Sequence, residues 1–253
     1  MLNRRHLRIK VLQELYSFFQ SGSDDLVEAE KNIFRNIDKI YELYIFLLLF
    51  FRELAEYERN FTEERPQQKF YTKNPEQNPE VFSQLSFIRL LQQDKKFNVA
   101  VLKTKTNWQA DHEWIKNIFT RIRKSPEYAN ASIKTPSNEI SFLTWVIEKM
   151  IIGQEDFRNV LEEKNIQWSE ELDFVCSCLE RTITESTNKK ALQLMRLYRD
   201  EKDDKDFVRD LFLKTILHSE EYQTMIAERT FNWEAERIAL MDISASRLWI
   251  FCS

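Results

Sequence analysis

Apolar residues recur at helical spacing along nearly the whole chain. From Asn3 onward, Leu7, Val11, Leu12, Leu15, Phe18 and Phe19 fall within one arc, the core-facing stripe of an amphipathic helix, while Lys10, Gln13, Glu14 and Ser17 take the other side. The pattern breaks at Ser21-Gly22-Ser23-Asp24, a turn whose Ser23 or Asp24 can cap the next helix. A long helical pattern then runs to about residue 65. Within it Ile37, Ile40, Tyr41, Tyr44, Phe46 and the run through Phe51 and Leu54 are too apolar for a one-sided surface helix, so this stretch is expected to lie between neighbours. Pro66, Pro75 and Pro79 punctuate a polar loop, and Pro126 and Pro136 bracket another. Further helices are predicted over 79–95, 108–125, 137–151, 154–164, 169–186, 203–218, 220–229 and 233–250. Residues 98–102 read as extended loop in preference to a short strand. No internal repeat or low-complexity linker interrupts the chain, which favours one continuous helical body over two separable domains.

Composition narrows the function. Of 253 residues only Gly22 and Gly153 are glycine, where average usage would give roughly 18. Dinucleotide fingerprints, phosphate-cradling loops and nucleophile elbows each need closely spaced glycines, and none can be assembled here. The same scarcity of turn residues argues for an all-α chain, and 43% apolar content is enough for a real core. Cys176, Cys178 and Cys252 give one C-x-C pair without a second, so reduced structural thiols are expected rather than zinc. His6, His112 and His218 are far apart and fit no helical metal motif, so neither a metal nor another cofactor is expected. The longest apolar run, 44–51, is eight residues, far short of the roughly 20 that span a bilayer. The aromatic stripe over 41–51 reads as core, since no polar group interrupts it to orient a ligand. The acidic stretch 200–206 lacks the turn glycine and terminal glutamate of a calcium loop and reads as a solvated cap to the helix after it. With a poor match to a secretory signal, a cytoplasmic location is expected, away from membrane.

Charge is unevenly placed. Residues 1–13 hold Arg4, Arg5, Arg8 and Lys10 and no acid, leaving 33 basic against 41 acidic residues in the remainder. Arg4, Arg5 and Arg8 continue the apolar line of the first helix toward its N-terminus instead of joining the polar side. Either the first turns overhang the core and present guanidinium groups beside it, or acids elsewhere pair with them. Cations at a helix N-terminus oppose the macrodipole, and a bound anion would reverse that penalty.

The opening 4–16, Arg-Arg-His-Leu-Arg-Ile-Lys-Val-Leu-Gln-Glu-Leu-Tyr, resembles the first helix of the NusB antitermination family. A second block, Asp206-Phe207-Val208-Arg209-Asp210-Leu211-Phe212, then Thr215-Ile216-Leu217, Glu221, Ile226 and Asn232-Trp233 leading to Arg237, Asp242 and Arg247, is similar to the family's central signature and follows in family order. The resemblance implies a single multi-helix bundle of the NusB type spanning 1–253, with family-like blocks at 1–20 and 203–247 and enlarged, insertion-like middle helices over 24–200. It implies a non-enzymatic RNA-binding factor of transcription antitermination. Such a factor would pair with the ribosomal protein NusE, bind a single-stranded boxA-type element of nascent ribosomal RNA, and act within the RNA polymerase antitermination complex. Arg4, Arg5 and Arg8 match the family's arginine-rich RNA-contacting motif, and Lys10 joins them as an expected RNA contact. Tyr16 and Asp242 match positions at or near the partner and RNA surface; from the residues alone, Tyr16 equally reads as a half-buried core ring and Asp242 as a bridge to Arg237 or Arg247.

A related family fuses such a domain to an RNA cytosine methyltransferase, but this chain has no glycine-rich cofactor loop and Cys176-x-Cys178 lacks flanking prolines, so methyl transfer is not expected. A helix-turn-helix repressor is disfavoured because the helix after Gly22 begins Asp24-Asp25-Leu26-Val27-Glu28, which would repel DNA. The alternative of another class is an all-helical interaction scaffold that binds no RNA. After Asp242 the chain reads Ile243-Ser244-Ala245-Ser246 and ends Trp249-Ile250-Phe251-Cys252-Ser253, where the resemblance implies an apolar run and two further helices. The expectation is a shortened or altered form with an exposed apolar edge, less stable than an extended homologue.

Overall fold

A computed structural model describes residues 1–64, 80–130 and 135–229, and among these the architecture is all-helical, with eleven α-helices and no strand. The described helices cluster into two compact units, residues 1–39 with 196–229 and the described residues of 40–195.

In the first unit, α1 (Arg4–Ser21) starts at Asn3, whose side chain accepts from the His6 N–H at 3.0 Å, and stops at Gly22 in the left-handed conformation, φ 63°. The start of α2 (Leu26–Glu64) is capped by Asp25, which accepts from the Glu28 N–H at 2.9 Å, rather than by Ser23 or Asp24. Asp200 caps α10 (Glu201–Leu217) by accepting from the Lys202 and Asp203 N–H groups, which is the capping role read from the acidic stretch, and α11 (Ser219–Arg229) follows. Leu7, Val11, Leu15 and Phe18 of α1 are buried, as are Val208, Leu211 and Phe212 of α10, and the two helices pack together with Phe18 edge-on to Phe212. Each such ring or branched chain removed from water contributes about 1.5–3 kcal/mol.

The second unit takes residues 40–64 of α2, whose residues 43–51 are all buried, so this helix is enclosed on every side as its composition required. Around it lie a 3-10 turn Phe82–Gln84, α3 (Ser86–Gln93), α4 (Lys95–Thr104), a 3-10 turn Gln109–Asp111, α5 (His112–Arg123), α6 (Pro126–Asn130), α7 (Pro136–Val146), a π-helical turn Ile147–Ile152, α8 (Glu155–Lys164) and α9 (Ile166–Lys189). The segment 98–102 is therefore helix, not extended loop: the Asp94 side chain accepts from the Phe97 N–H at 2.7 Å, and Phe97 and Ala100 turn inward one helical step apart. The aromatic stripe meets other rings. Trp108 stacks on Phe46 with centroids 4.0 Å apart and donates its indole N–H to the Phe46 carbonyl at 3.1 Å, and Trp114, Phe157 and Trp168 complete the cluster.

Two buried carboxylates staple this unit. Glu58 of α2, 1% exposed, accepts from the Val81 N–H, the Ser83 N–H and hydroxyl, and the Tyr128 hydroxyl, at 2.6–3.0 Å. Glu139 of α7 accepts from the Phe87 N–H and the Ser86 hydroxyl, supplying the cap that Leu85 cannot give α3. No described helix is long and apolar enough to cross a membrane, and the described residues hold no group of three or more side chains suited to a metal ion. The predicted helix over 233–250, with Asp242, Trp249 and Cys252, lies outside the described residues.

Candidate nucleic-acid interface

The basic tip belongs to the first turns of α1, and the structure sorts its four cations. Arg4 is held by the Asp203 carboxylate, with its Nε 3.5 Å from an Asp204 oxygen and its guanidinium 4.1 Å above the centre of the Phe207 ring. Of the two arrangements the stripe allowed, Arg4 thus adopts pairing. Asp204, 5% exposed, also accepts from the Arg199 and Asp200 N–H groups, so this carboxylate ties the segment before α10 to its first turn while it faces the arginine. The backbone reinforces the contact: the Leu2 N–H donates to the Leu197 carbonyl at 3.0 Å, and the terminal amine reaches the Arg196 carbonyl.

Arg5 is exposed. Arg8 is half-buried and donates from Nε to the Arg4 carbonyl at 3.3 Å, a bond that uses one of its five N–H donors. Lys10 is placed differently from the expectation of a phosphate contact. Although it belongs to the polar arc of the helix, it is 4% exposed, and its Nζ donates to Gln13 at 3.0 Å. Tyr16 is half-buried, consistent with either of its two readings. At the start of α1, therefore, Arg5 is exposed, Arg8 is half-buried, and Arg4 is clamped by two aspartates.

The far end of α1 has the opposite character. A cavity of about 280 Å³ opens between α1 and the start of α2, lined by Glu14, Asp25, Glu28, Asn32 and serine hydroxyls. Burial raises the Glu14 carboxyl above its ordinary range, offset in part by the hydrogen bond from Asn32. Carboxylates there repel phosphate, so this end of α1 disfavours a polyanion.

The residues that sequence reading did not connect to the tip are Asp203, Asp204 and Phe207. Their density of acids was visible, but pairing across 199 residues has no local signature. The two thiols of the C-x-C pair are buried on α9 and free; burial pushes the Cys176 thiol up to about 12, so neither nucleophilic nor metal-binding thiolate chemistry is favoured. Comparison with family models, with characterised proteins and with solved structures finds no match for this chain.

Proposed function

We propose that this protein is an RNA-binding antitermination factor of the NusB type. It would bind a single-stranded boxA-type segment of ribosomal RNA together with the ribosomal protein NusE, and act by positioning within the polymerase complex instead of by catalysis. The observation that carries the reading is that α1, which holds the first block of family resemblance, and α10, which holds the beginning of the second, pack against each other in one compact unit although about 180 residues separate them in the chain. The acid-free first turn of α1 supports it further, because Arg5 is exposed and Arg8 half-exposed near a helix N-terminus, which favours an anion. In this reading residues 40–195 enlarge the bundle and Tyr16 and Asp242 serve the partner side.

The test is fluorescence anisotropy with a labelled single-stranded boxA-type RNA across a salt series, comparing the protein with an Arg5→Gln/Arg8→Gln variant. The expected result is weaker binding and a log–log salt slope shallower by about 1.4, from roughly 0.7 per contact on a single strand. Equal binding by both proteins would remove the arginines from the interface, and absence of RNA binding altogether would leave the scaffold alternative.

A further inference from the structure

We propose that the cavity between α1 and the start of α2, in the first unit, receives the side chain of an arginine presented by a protein partner. The site lies at the other end of α1 from the basic tip and does not rest on the RNA-binding reading.

Two helical stripes build it. On α1, Glu14, Ser17, Phe18 and Ser21 follow the i, i+3, i+4, i+7 spacing of one helix face, and from the cap of α2 onward Asp25, Glu28, Ala29 and Asn32 repeat that spacing. The turn at Gly22 folds the second stripe back on the first, and the space left between them is about 280 Å³. Its interior is buried: Glu14 is 8%, Phe18 9% and Ala29 5% exposed, whereas Ser17, Ser21 and Asp25 are exposed and form the rim.

Three carboxylates line this space, and Glu14 is the one whose buried charge is unmet. Asp25 is exposed and has an oxygen engaged in capping α2, and Glu28 pairs with Lys31 and Arg35. Glu14 makes no ion pair among the described residues. Its one hydrogen bond, from the Asn32 amide to Oε1, spans 3.4 Å, longer than the about 2.7–2.9 Å of a strong bond to a carboxylate. Its Oε2 has no partner among the described residues. A carboxylate more than nine-tenths buried and half satisfied costs free energy that an amide or an apolar side chain would avoid, and a cation from outside supplies the missing half.

Arginine fits the rest of the surface. Phe18 and Ala29 give its methylene stem an apolar wall, Glu14 Oε2 accepts from the guanidinium, and the Ser17 hydroxyl, which has no hydrogen bond among the described residues, is free to accept beside it. The planar guanidinium is more weakly hydrated than an ammonium and so enters a half-enclosed site at lower cost. The source is a protein because the acids extend past the cavity: residues 11–30 carry Glu14, Asp24, Asp25, Glu28 and Glu30 and no lysine or arginine, a continuous negative field that steers and holds a basic segment.

The test titrates the isotope-labelled protein, followed by NMR, with a short glycine–serine peptide carrying one arginine, up to about 10 mM. Saturable shifts are expected at the Asn32 side-chain amide and at the Ser17, Ser21 and Ala29 backbone amides, and none with the same peptide carrying citrulline, the neutral isostere of arginine. Glu14→Gln keeps the Asn32 bond and should keep the helical circular dichroism while weakening binding by about tenfold or more. Ser17→Phe, which covers the rim without entering the core, should weaken it likewise, and Glu113→Gln, an exposed acid on α5, should change nothing. Equal binding by the Glu14→Gln protein, equal binding of the citrulline peptide, or no saturable shift at these residues would overturn the proposal. Free arginine amide binding as tightly as the peptide would overturn the protein partner and assign the cavity to a small cation.

Discussion

Asp203 restrains Arg4, and releasing it should strengthen RNA binding. The pair is exposed, with 36% of the Arg4 and 72% of the Asp203 side chain open to solvent, so Asp203→Asn should change stability by no more than about 1 kcal/mol. Arg4 stays in place through Asp204 and the Phe207 ring. Two electrostatic effects then act in one direction. A carboxylate roughly 6 Å from a phosphate seated on the tip repels it by about 0.7 kcal/mol in water, near threefold in affinity, and that repulsion disappears. The guanidinium, facing the Asp204 carboxylate alone, adds part of one counterion-releasing contact, steepening the salt slope by at most about 0.7. Anisotropy titrations of boxA-type RNA between about 50 and 300 mM salt read both quantities, with thermal unfolding by circular dichroism as the control. Asp204→Ala is the contrast: it strands two backbone N–H groups at the start of α10 and should cost about 1–3 kcal/mol of stability. An Asp203→Asn protein of normal stability with unchanged affinity and slope would refute the reasoning, because Arg4 would then have no part in phosphate contact.

Other consequences concern the scaffold. Glu58→Gln replaces one carboxylate oxygen by an amide that faces donors, so urea unfolding of the variant should show a loss of about 2–4 kcal/mol, and a loss below about 0.5 kcal/mol would contradict the stapling role. Glu14 has a folded pKa raised by burial, so the folded state binds its proton more tightly than the unfolded state, and stability falls as pH rises from the unfolded value through the folded one. Glu14→Gln should therefore melt above the parent protein at pH 7 and level with it at pH 4; a lower midpoint at pH 7 would reverse the sign. Cys176 and Cys178 should resist iodoacetamide at pH 8 until the protein is unfolded, and rapid labelling of either in the folded state would contradict their burial.

How much of this was legible in the sequence depended on distance along the chain. The first helix and its end at Gly22 could be read because stripe, asparagine start and glycine stop are all local. The enclosed middle of α2 was legible for the same reason, since eight consecutive apolar residues admit no solvent face. Helix α4 was not: Val99, Ala100, Val101 and Leu102 have no polar alternation, and the deciding signals were the Asp94 cap and the inward turn of Phe97. Helix α9 began earlier and ended later than read because Asn165 caps it and Lys190, at φ 53°, closes it where a glycine would have marked the stop. At the candidate site, the exposure of Arg5 agrees with the overhang read from the chain. The fate of Arg4 was not legible, because its partners come from the far end of the sequence, and Lys10 sits on the polar arc of the helix yet is covered by packing that no helical wheel contains.

The central claim is that this chain joins a ribosomal-protein partner on a single RNA strand. The most direct measurement is a titration of labelled boxA-type RNA with the protein in the presence and absence of saturating NusE. Two surfaces engaging one strand act at high effective concentration, so NusE should tighten binding by at least about tenfold, and Arg5→Gln/Arg8→Gln should abolish most of that gain. The same affinity with and without NusE, or a gain untouched by the arginine changes, would contradict the account.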